Sequence, residues 1–272
     1  MSQPLKIERR GRVLEVTLDR PKANAIDAAT SIRMGEVFCD FRDDDSLWVA
    51  ILTSAGDRIF SAGWDLKAAT EGEHERMDYG AGGFGGITEL WDLHKPVIAA
   101  VNGLAVGGGC ELMLAADLVV ASEAAEFWFP EARLGNMADA GGVQRLPRRV
   151  PVNVAMEMLM TGRRMSAGEA HRWGLVNWVV PPDDVLAKAR EVADGLARSA
   201  PLSLWAIKEV VRGIEGMSVE DAFRALHARK FPTYERMLAS EDHEEGPRAF
   251  VEKREPVFTG QRRQRAPSTG SD

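Results

Sequence analysis

Cysteine is nearly absent from this chain: Cys39 and Cys110 are the only two in 272 residues. Two cysteines in a chain of this size make no disulfide framework and point to a reducing compartment, which places the protein in the cytoplasm. Long apolar runs are missing too. Stretches such as Val97 to Val101 fall far short of the roughly 20 residues of a membrane-spanning helix, so no membrane association is expected. Met1 to Glu8 mixes polar and apolar residues and lacks the charged start and apolar block of a secretory signal. No Asn-x-Ser/Thr sequon occurs. Positive charge is in deficit, with 34 Lys and Arg against 41 Asp and Glu, a net charge of -7. An acidic chain repels phosphate backbones, so nucleic acid is excluded as a default partner. A phosphorylated ligand would need a local basic or backbone N–H site.

Several catalytic motifs are also missing. There is no G-x-x-x-x-G-K-[ST] phosphate loop and no G-x-S-x-G nucleophile elbow. The five histidines, His74, His94, His171, His227 and His243, have no metal-ligand spacing to one another or to cysteine. They are expected to be surface or packing residues, and no metal or cofactor is expected. Gly80, Gly82 and Gly85 spell G-x-G-x-x-G, but Glu71 to Tyr79 before them is polar and charged, not a strand. The reading for Glu71 to Gly86 is therefore a mobile surface loop.

What is present is an ordinary globular composition, 45% apolar and 28% charged, long enough to bury a large core. Val13, Val16 and Leu18 belong to a β-rich run from about Leu5, with Gly11 at a hairpin turn. Asp27 can cap a helix carrying Ile32, Met34, Val37, Phe38 and Phe41. Val49 to Thr53, Val97 to Val101, Leu118 to Ala121 and Leu175 to Val180 read as buried strands. Short apolar strands alternating with helices predict parallel pairing, an α/β fold. Ser166 and Glu169 form a capping box, and a long helical stretch with Phe223, Leu226, Phe231 and Met237 follows Ser218. From Gln261 to Asp272 apolar residues almost vanish, which predicts a disordered tail.

Three segments carry chemistry. Phe60-Ser-Ala-Gly-Trp-Asp-Leu66 follows a predicted strand. Its Gly and Asp allow a sharp turn that leaves the Trp64 N–H facing a ligand, or simply a strand-to-helix turn. Asn102-Gly-Leu-Ala-Val-Gly-Gly-Gly-Cys-Glu111 brings three glycines to a helix start. There the backbone can approach a ligand and offers free N–H groups and a positive dipole end. Glu111 stands among apolar and small neighbours, either as a functional carboxyl or as an acid favoured in a first helical turn. In Glu126-Phe-Trp-Phe-Pro-Glu131 a carboxyl follows an aromatic run. Apolar walls would raise its pKa, unless it is a surface Glu after a Pro turn. Taken together, two N–H groups can polarise a thioester carbonyl, one carboxyl can handle the α-proton and another can handle water. Oxyanion donors contribute typically ~10²–10³-fold each, and acid–base groups ~10²–10⁴-fold.

These segments resemble the crotonase (enoyl-CoA hydratase/isomerase) superfamily, and the likeness runs from about Leu5 to Val257. The resemblance implies a spiral of ββα units within residues 1–200. A C-terminal helical region at 201–260 would build a homotrimer or homohexamer, and 261–272 would be a tail. It implies backbone N–H groups of Trp64 and Gly108 as an oxyanion hole, and Glu111 and Glu131 as paired catalytic carboxylates. Contacts to an acyl-CoA substrate would come from Lys22, Ala23, Ala25, Ala62, Gly63, Asp65, Leu66, Gly107 and Asp139, with Lys253 near the nucleotide end. Coenzyme A enters as part of the substrate, with no separate cofactor. Because both carboxylates are kept, the resemblance favours water addition or removal over double-bond migration, thioester hydrolysis or decarboxylation.

Finer likeness points to the branch of the family whose acyl group carries a trimethylammonium. It rests on Leu18 to Asp27, Phe60 to Ala69, Thr161 to Met165 with Arg172 to Gly174, and Glu245 to Pro247 through Glu252 to Arg254. Asp139 in Ala138-Asp-Ala-Gly-Gly142 belongs to the same likeness. A cation of that kind needs aromatic faces, for which Trp64, Trp91, Trp128 and Tyr79 are candidates, or an acidic wall, for which Asp139 is one. The sequence departs from the family at Asn136-Met-Ala138 and at the bulky Trp128. The alternatives are a general short-chain enoyl-CoA hydratase and a non-catalytic, binding member of the family. Two intact carboxylates and the acidic charge argue against the latter.

Overall fold

Gly11, at φ +58°, turns the chain between strand β1 (Leu5–Arg10) and strand β2 (Val13–Leu18), which pair antiparallel. A computed structural model of the protein describes residues 3–70 and 78–261. Asp27 caps helix α1 (Ala28–Asp43) as expected, its Oδ1 accepting from Thr30 N at 2.8 Å. Strands β3 (Val49–Ser54) and β5 (Val97–Val101) are buried at every residue. Continuous apolar runs of this kind belong to parallel strands covered on both faces.

From the third strand to the eighth, the chain alternates between two sheets. β3 is followed by β4 (Ile59–Ser61) and helix α2 (Leu66–Thr70). β5 is followed by β6 (Leu104–Val106) and helix α3 (Gly108–Ala115). β7 (Leu118–Ser122) is followed by β8 (Glu126–Trp128) and a single 3-10 turn, Glu131–Leu134. The larger sheet has the order β1-β2-β3-β5-β7-β10 and the smaller β4-β6-β8-β9, where β9 is Arg164–Ser166 and β10 is Trp178–Val180. From β2 onward the larger sheet is parallel, with registers such as Val16 to Leu52 and Ile51 to Ile98. In the smaller sheet only the β8–β9 pairing is antiparallel. Each turn of this coil is a strand–strand–helix unit, the predicted ββα spiral.

Helices α4 (Gly142–Arg149), α5 (Val152–Thr161) and α6 (Ala167–Arg172) complete the layers around the spiral. Ser166 caps α6 by accepting from Glu169 N, as its capping box predicts. The chain packs as two units, Met1–Asp194 and Gly195–Asp272, and the first ends within helix α7 (Val185–Ala197). The second unit holds α8 (Pro201–Gly213), α9 (Val219–His227), α10 (Pro232–Leu238) and α11 (Asp242–Glu252). Among the described residues no helix is long and apolar enough to cross a membrane.

Three expectations need correction. The long helix after Ser218 is broken into α9 and α10, because Arg229 takes φ +55° and Pro232 opens a new helix. The strand expected over Leu175 to Val180 begins only at Trp178, after a turn at Gly174 with φ +77°. Most of the glycine-rich stretch that can be described is not a mobile surface loop. Residues Gly82 to Gly86 are buried, and Gly85 N donates to the buried Ser31 Oγ of α1 at 3.0 Å. A Cβ on Gly86, which has φ +76°, would lie 2.3 Å from Gly35 N and 2.5 Å from Met34 C. These glycines let the chain lie against the backbone of α1, which polarity alone does not signal. The stretch 71–77, including His74, and the tail 262–272 lie outside the described residues.

Gly86→Ala is therefore expected to cost ~3 kcal/mol, from overpacking added to left-handed strain. Gly174→Ala, with φ +77° and nothing within 4 Å of its Cβ position, should cost only about 1 kcal/mol. Urea unfolding midpoints of the two variants test this. Equal losses would mean that the approach of Gly86 to α1 adds nothing to stability.

Candidate active site

The site begins where β4 ends. Ser61 is fully buried; its Oγ donates to Asn24 O at 2.8 Å and accepts from Gly63 N at 3.1 Å. This ties the segment after β4 to residues 22–26. Ala62 N donates to Ala23 O, Ile26 N to Gly63 O and Asp65 N to Ile26 O, at 2.8–2.9 Å. Both bonds of the Ile26–Trp64 bridge are thus made by Ile26, which leaves the N–H of Trp64 unused by it.

The second donor lies on the neighbouring turn. After β6, Gly107 takes φ +51° and its N–H donates to Trp128 O at 2.8 Å, which fixes the start of α3. Gly108 opens α3, so its N–H has no acceptor one turn back. A Cβ on Gly63, at φ +76°, would fall 2.6 Å from Gly108 N and 2.6 Å from Val106 O. Only glycine permits that approach, and it brings the Trp64 and Gly108 N–H groups onto adjoining backbone.

Both carboxyls stand beside these donors. Glu111, one turn into α3, is 4% exposed and accepts from Gly142 N, at the start of α4, at 2.9 Å. Burial pushes its carboxyl up to about 7. The charges of Glu131 and Asp139 add to the rise, and the Gly142 N–H opposes it. Glu131 opens the 3-10 turn after β8 and Pro130. A Cβ on Gly107 would lie 2.6 Å from its Oε1, so this carboxyl rests over bare backbone. Burial raises its pKa, with Asp139 adding to the effect. Its Oε2 is buried with no hydrogen-bond partner among the described residues. Glu111, Glu131, Asp139, Trp64, Gly108 and Tyr79 all line one cavity of about 430 Å³.

A second cavity, of about 380 Å³, is lined by 19–22, Asn24 and 55–59. Asn24, at φ +50°, donates from Nδ2 to Ala55 O and Ile59 O, both at 3.0 Å. Lys22, at φ +83°, is exposed at this rim. Arg20 hydrogen-bonds Ala25 O and pairs with Asp27 at 2.6 Å and Asp65 at 3.5 Å. Lys22, Ala23 and Ala25 thus share one framework with Ala62, Gly63 and Asp65, while Leu66 is exposed beside them. Lys253 caps α11 in the left-handed conformation within the second unit and is exposed.

Two of the four aromatic candidates do not face the reaction cavity. Trp128 donates from Nε1 to Gly162 O at 2.8 Å and lies under the Arg164 guanidinium at 4.7 Å. Trp91 is 67% exposed, with Arg145 over its ring at 5.5 Å. Sequence reasoning missed Phe84, which lines the cavity, because it stands in the glycine-rich stretch. It also missed the Gly142 N–H on Glu111, because the two are distant in sequence and only folding joins them. Cys110, next to Glu111, is fully buried and burial pushes its thiol well up, so it is no nucleophile. Among the described residues no group of His, Cys, Asp and Glu could hold a metal ion.

Known proteins resemble this chain over nearly its whole length. The model of the enoyl-CoA hydratase/isomerase family matches residues 8–261. Carnitinyl-CoA dehydratase of Proteus mirabilis (strain HI4320) is 57% identical over 260 residues, covering 96% of this chain and 100% of that protein. The enzyme of the same name from Salmonella arizonae is 56% identical, with the same coverage. Among solved structures, enoyl-CoA hydratase from Mycobacterium tuberculosis H37Rv superposes with a TM-score of 0.87 at 39% identity, covering 95% of this chain and 99% of that one. Carnitinyl-CoA hydratase from Mycobacterium avium gives a TM-score of 0.73 at 42% identity, covering 96% and 100%. With this fold and these relatives over nearly its whole length, the chain belongs to the enoyl-CoA hydratase/isomerase (crotonase) family.

Proposed function

We propose that the protein is a hydro-lyase that interconverts carnitinyl-CoA with crotonobetainyl-CoA and water. The observation that carries this reading is the pair of carboxyls, buried Glu111 and half-buried Glu131, lining one cavity with the Gly108 and Trp64 turns. The named activity of the curated relatives supplies the acyl group.

In the dehydration direction the thioester carbonyl oxygen lies between the Trp64 and Gly108 N–H groups. Charge that builds on this oxygen as the α-proton leaves is met by donors already in place. One carboxylate takes the α-proton, and the electron pair of that C–H bond becomes the new double bond. The hydroxyl leaves from the β-carbon as water with a proton from the other carboxyl. Hydration runs these steps in reverse. The scheme needs one base and one acid together. A Glu111 held at about 7, beside a Glu131 that is also raised, leaves an exchangeable proton at the site near neutral pH.

The remaining contacts are assigned from the family resemblance: Lys22, Ala23, Ala25, Ala62, Gly63, Asp65 and Leu66 hold coenzyme A, and Gly107 leaves room for Glu131. The unpaired Cys39 and Cys110 suit a cytoplasmic enzyme. Exposed Ile207, Val211 and Phe223 on α8 and α9 suit self-association through the C-terminal helices into a trimer or hexamer. The reading is tested by hydration of crotonobetainyl-CoA against crotonyl-CoA. Higher kcat/KM for the former is expected; a preference for crotonyl-CoA would keep the chemistry and remove carnitine.

Glu111→Gln and Glu131→Gln should each lower kcat by ~10²–10⁴-fold, with the dissociation constant of a saturated acyl-CoA little changed. A variant with near-native turnover would remove that residue from the scheme. Glu111 also leaves a mark on stability. Its folded pKa of about 7 exceeds the ordinary value of 4.5, so the folded state holds the extra proton between these values. The folded chain is then progressively disfavoured as pH rises through that window. Glu111→Gln removes the effect, so its stability relative to wild type should be greater at pH 8 than at pH 4, by up to about 3 kcal/mol. A stability difference that does not change with pH would show that Glu111 ionises as freely in the folded chain as in the unfolded one.

A further inference from the structure

The reaction cavity holds more negative charge than proton transfer requires. Glu111, Glu131 and Asp139 line it, and none of the described residues lining it is basic. Asp139 stands apart from the other two. Its backbone N–H donates to Met137 O and its carbonyl accepts from Gln144 Nε2, both at 2.9 Å. Its carboxylate has no ion pair or hydrogen bond among the described residues. Although Asp139 is exposed to solvent, its charge pushes both Glu111 and Glu131 upward. A carboxylate or phosphate group on the acyl chain would meet three acids and no base.

The rest of the wall combines three aromatic residues with Gly108, Asn136, Met137 and Ala140. The rings of Tyr79 and Phe84 meet edge to face, with centroids 5.6 Å apart at 83°. They line the cavity together with Trp64. A primary ammonium would need several hydrogen-bond acceptors in one place. A quaternary ammonium has no N–H; ring faces and a nearby unpaired negative charge are enough to hold it. A neutral branched alkyl group of the same shape would gain the rings but not the charge. The other two tryptophans discussed above already lie against arginines, so the aromatic surface available to an acyl group is the one beside Asp139.

We infer that Asp139, Tyr79 and Phe84 form a subsite for the trimethylammonium of the acyl group and select it over an uncharged group of equal size. The inference rests on the reaction proposed above and assigns the residues that choose its substrate. Bound there, the cation offsets the charge of Asp139 and so relieves the acid–base pair of its repulsion.

The test compares crotonobetainyl-CoA with its neutral carbon isostere, 5,5-dimethylhex-2-enoyl-CoA, by kcat/KM. Wild type should favour the cation by about tenfold or more, and Asp139→Asn should reduce that ratio by about tenfold. Tyr79→Leu should reduce it as well. A ratio unchanged in both variants would overturn the subsite while leaving the hydration chemistry standing, as would equal use of both thioesters by wild type. If wild type hydrates neither, the proposed reaction fails, and binding of the saturated pair decides the subsite. Tighter calorimetric binding of γ-butyrobetainyl-CoA than of its neutral isostere, lost in Asp139→Asn, upholds it. Equal binding overturns it.

Discussion

The approach of Gly63 to Gly108 is the contact on which the site depends. A side chain at position 63 would lie 2.6 Å from Gly108 N and from Val106 O, so the two turns could not adjoin. With hydrogen on both Cα atoms, the ends of β4 and β6 come together and their spare N–H groups share one opening. The pairing of β4 with β6 fixes that relation along the sheet, through Ile59 with Leu104 and Ser61 with Ala105. Ser61 then ties the same turn to Asn24 O, so the segment read as a coenzyme A contact and the donors proposed for the oxyanion hole are held by one set of bonds.

The carboxyl pair opposes this order energetically. Glu111 is among the least exposed charged groups of the described chain, at 4%. The backbone N–H groups of Gly142 and Ala140 answer it, and no cation does among the described residues. Burying an acid with so little compensation costs stability and is tolerated where a transferable proton is needed. Contrast Glu15, equally buried at 4% exposure, which accepts from both Arg10 and Arg190. Burial there would raise the carboxyl, but the two guanidiniums overcome it and hold the pKa below its ordinary value. Two glutamates of one fold are thus driven in opposite directions by whether an arginine reaches them.

Much of this was legible in the sequence because it is local. The caps at Asp27 and Ser166, the Gly11 hairpin and the all-apolar β3 and β5 follow from short-range preferences and periodicity. Two of the three chemical segments were visible because a strand followed by glycine and then a helix start exposes N–H groups, and the third because a carboxyl follows an aromatic run. What was not legible depends on distant partners. Nothing in residues 80–86 tells that Gly35 waits across the fold to receive Gly86. Nothing near Trp128 tells that Gly162 O holds its indole away from the cavity. The split between α9 and α10 was readable at Pro232 but was masked by the apolar spacing on either side of it.

The coil of ββα units places its chemical groups at matching points. Trp64 follows β4, Gly108 follows β6 and Glu131 follows β8. Position is therefore set by the backbone ladder of the smaller sheet, and identity by whichever residue stands two or three places beyond each strand. Such a scaffold behaves like a type rack with fixed slots. The rack itself, Gly63 against Gly108, admits no side chain, whereas a carboxyl such as Glu131 is a character set into it.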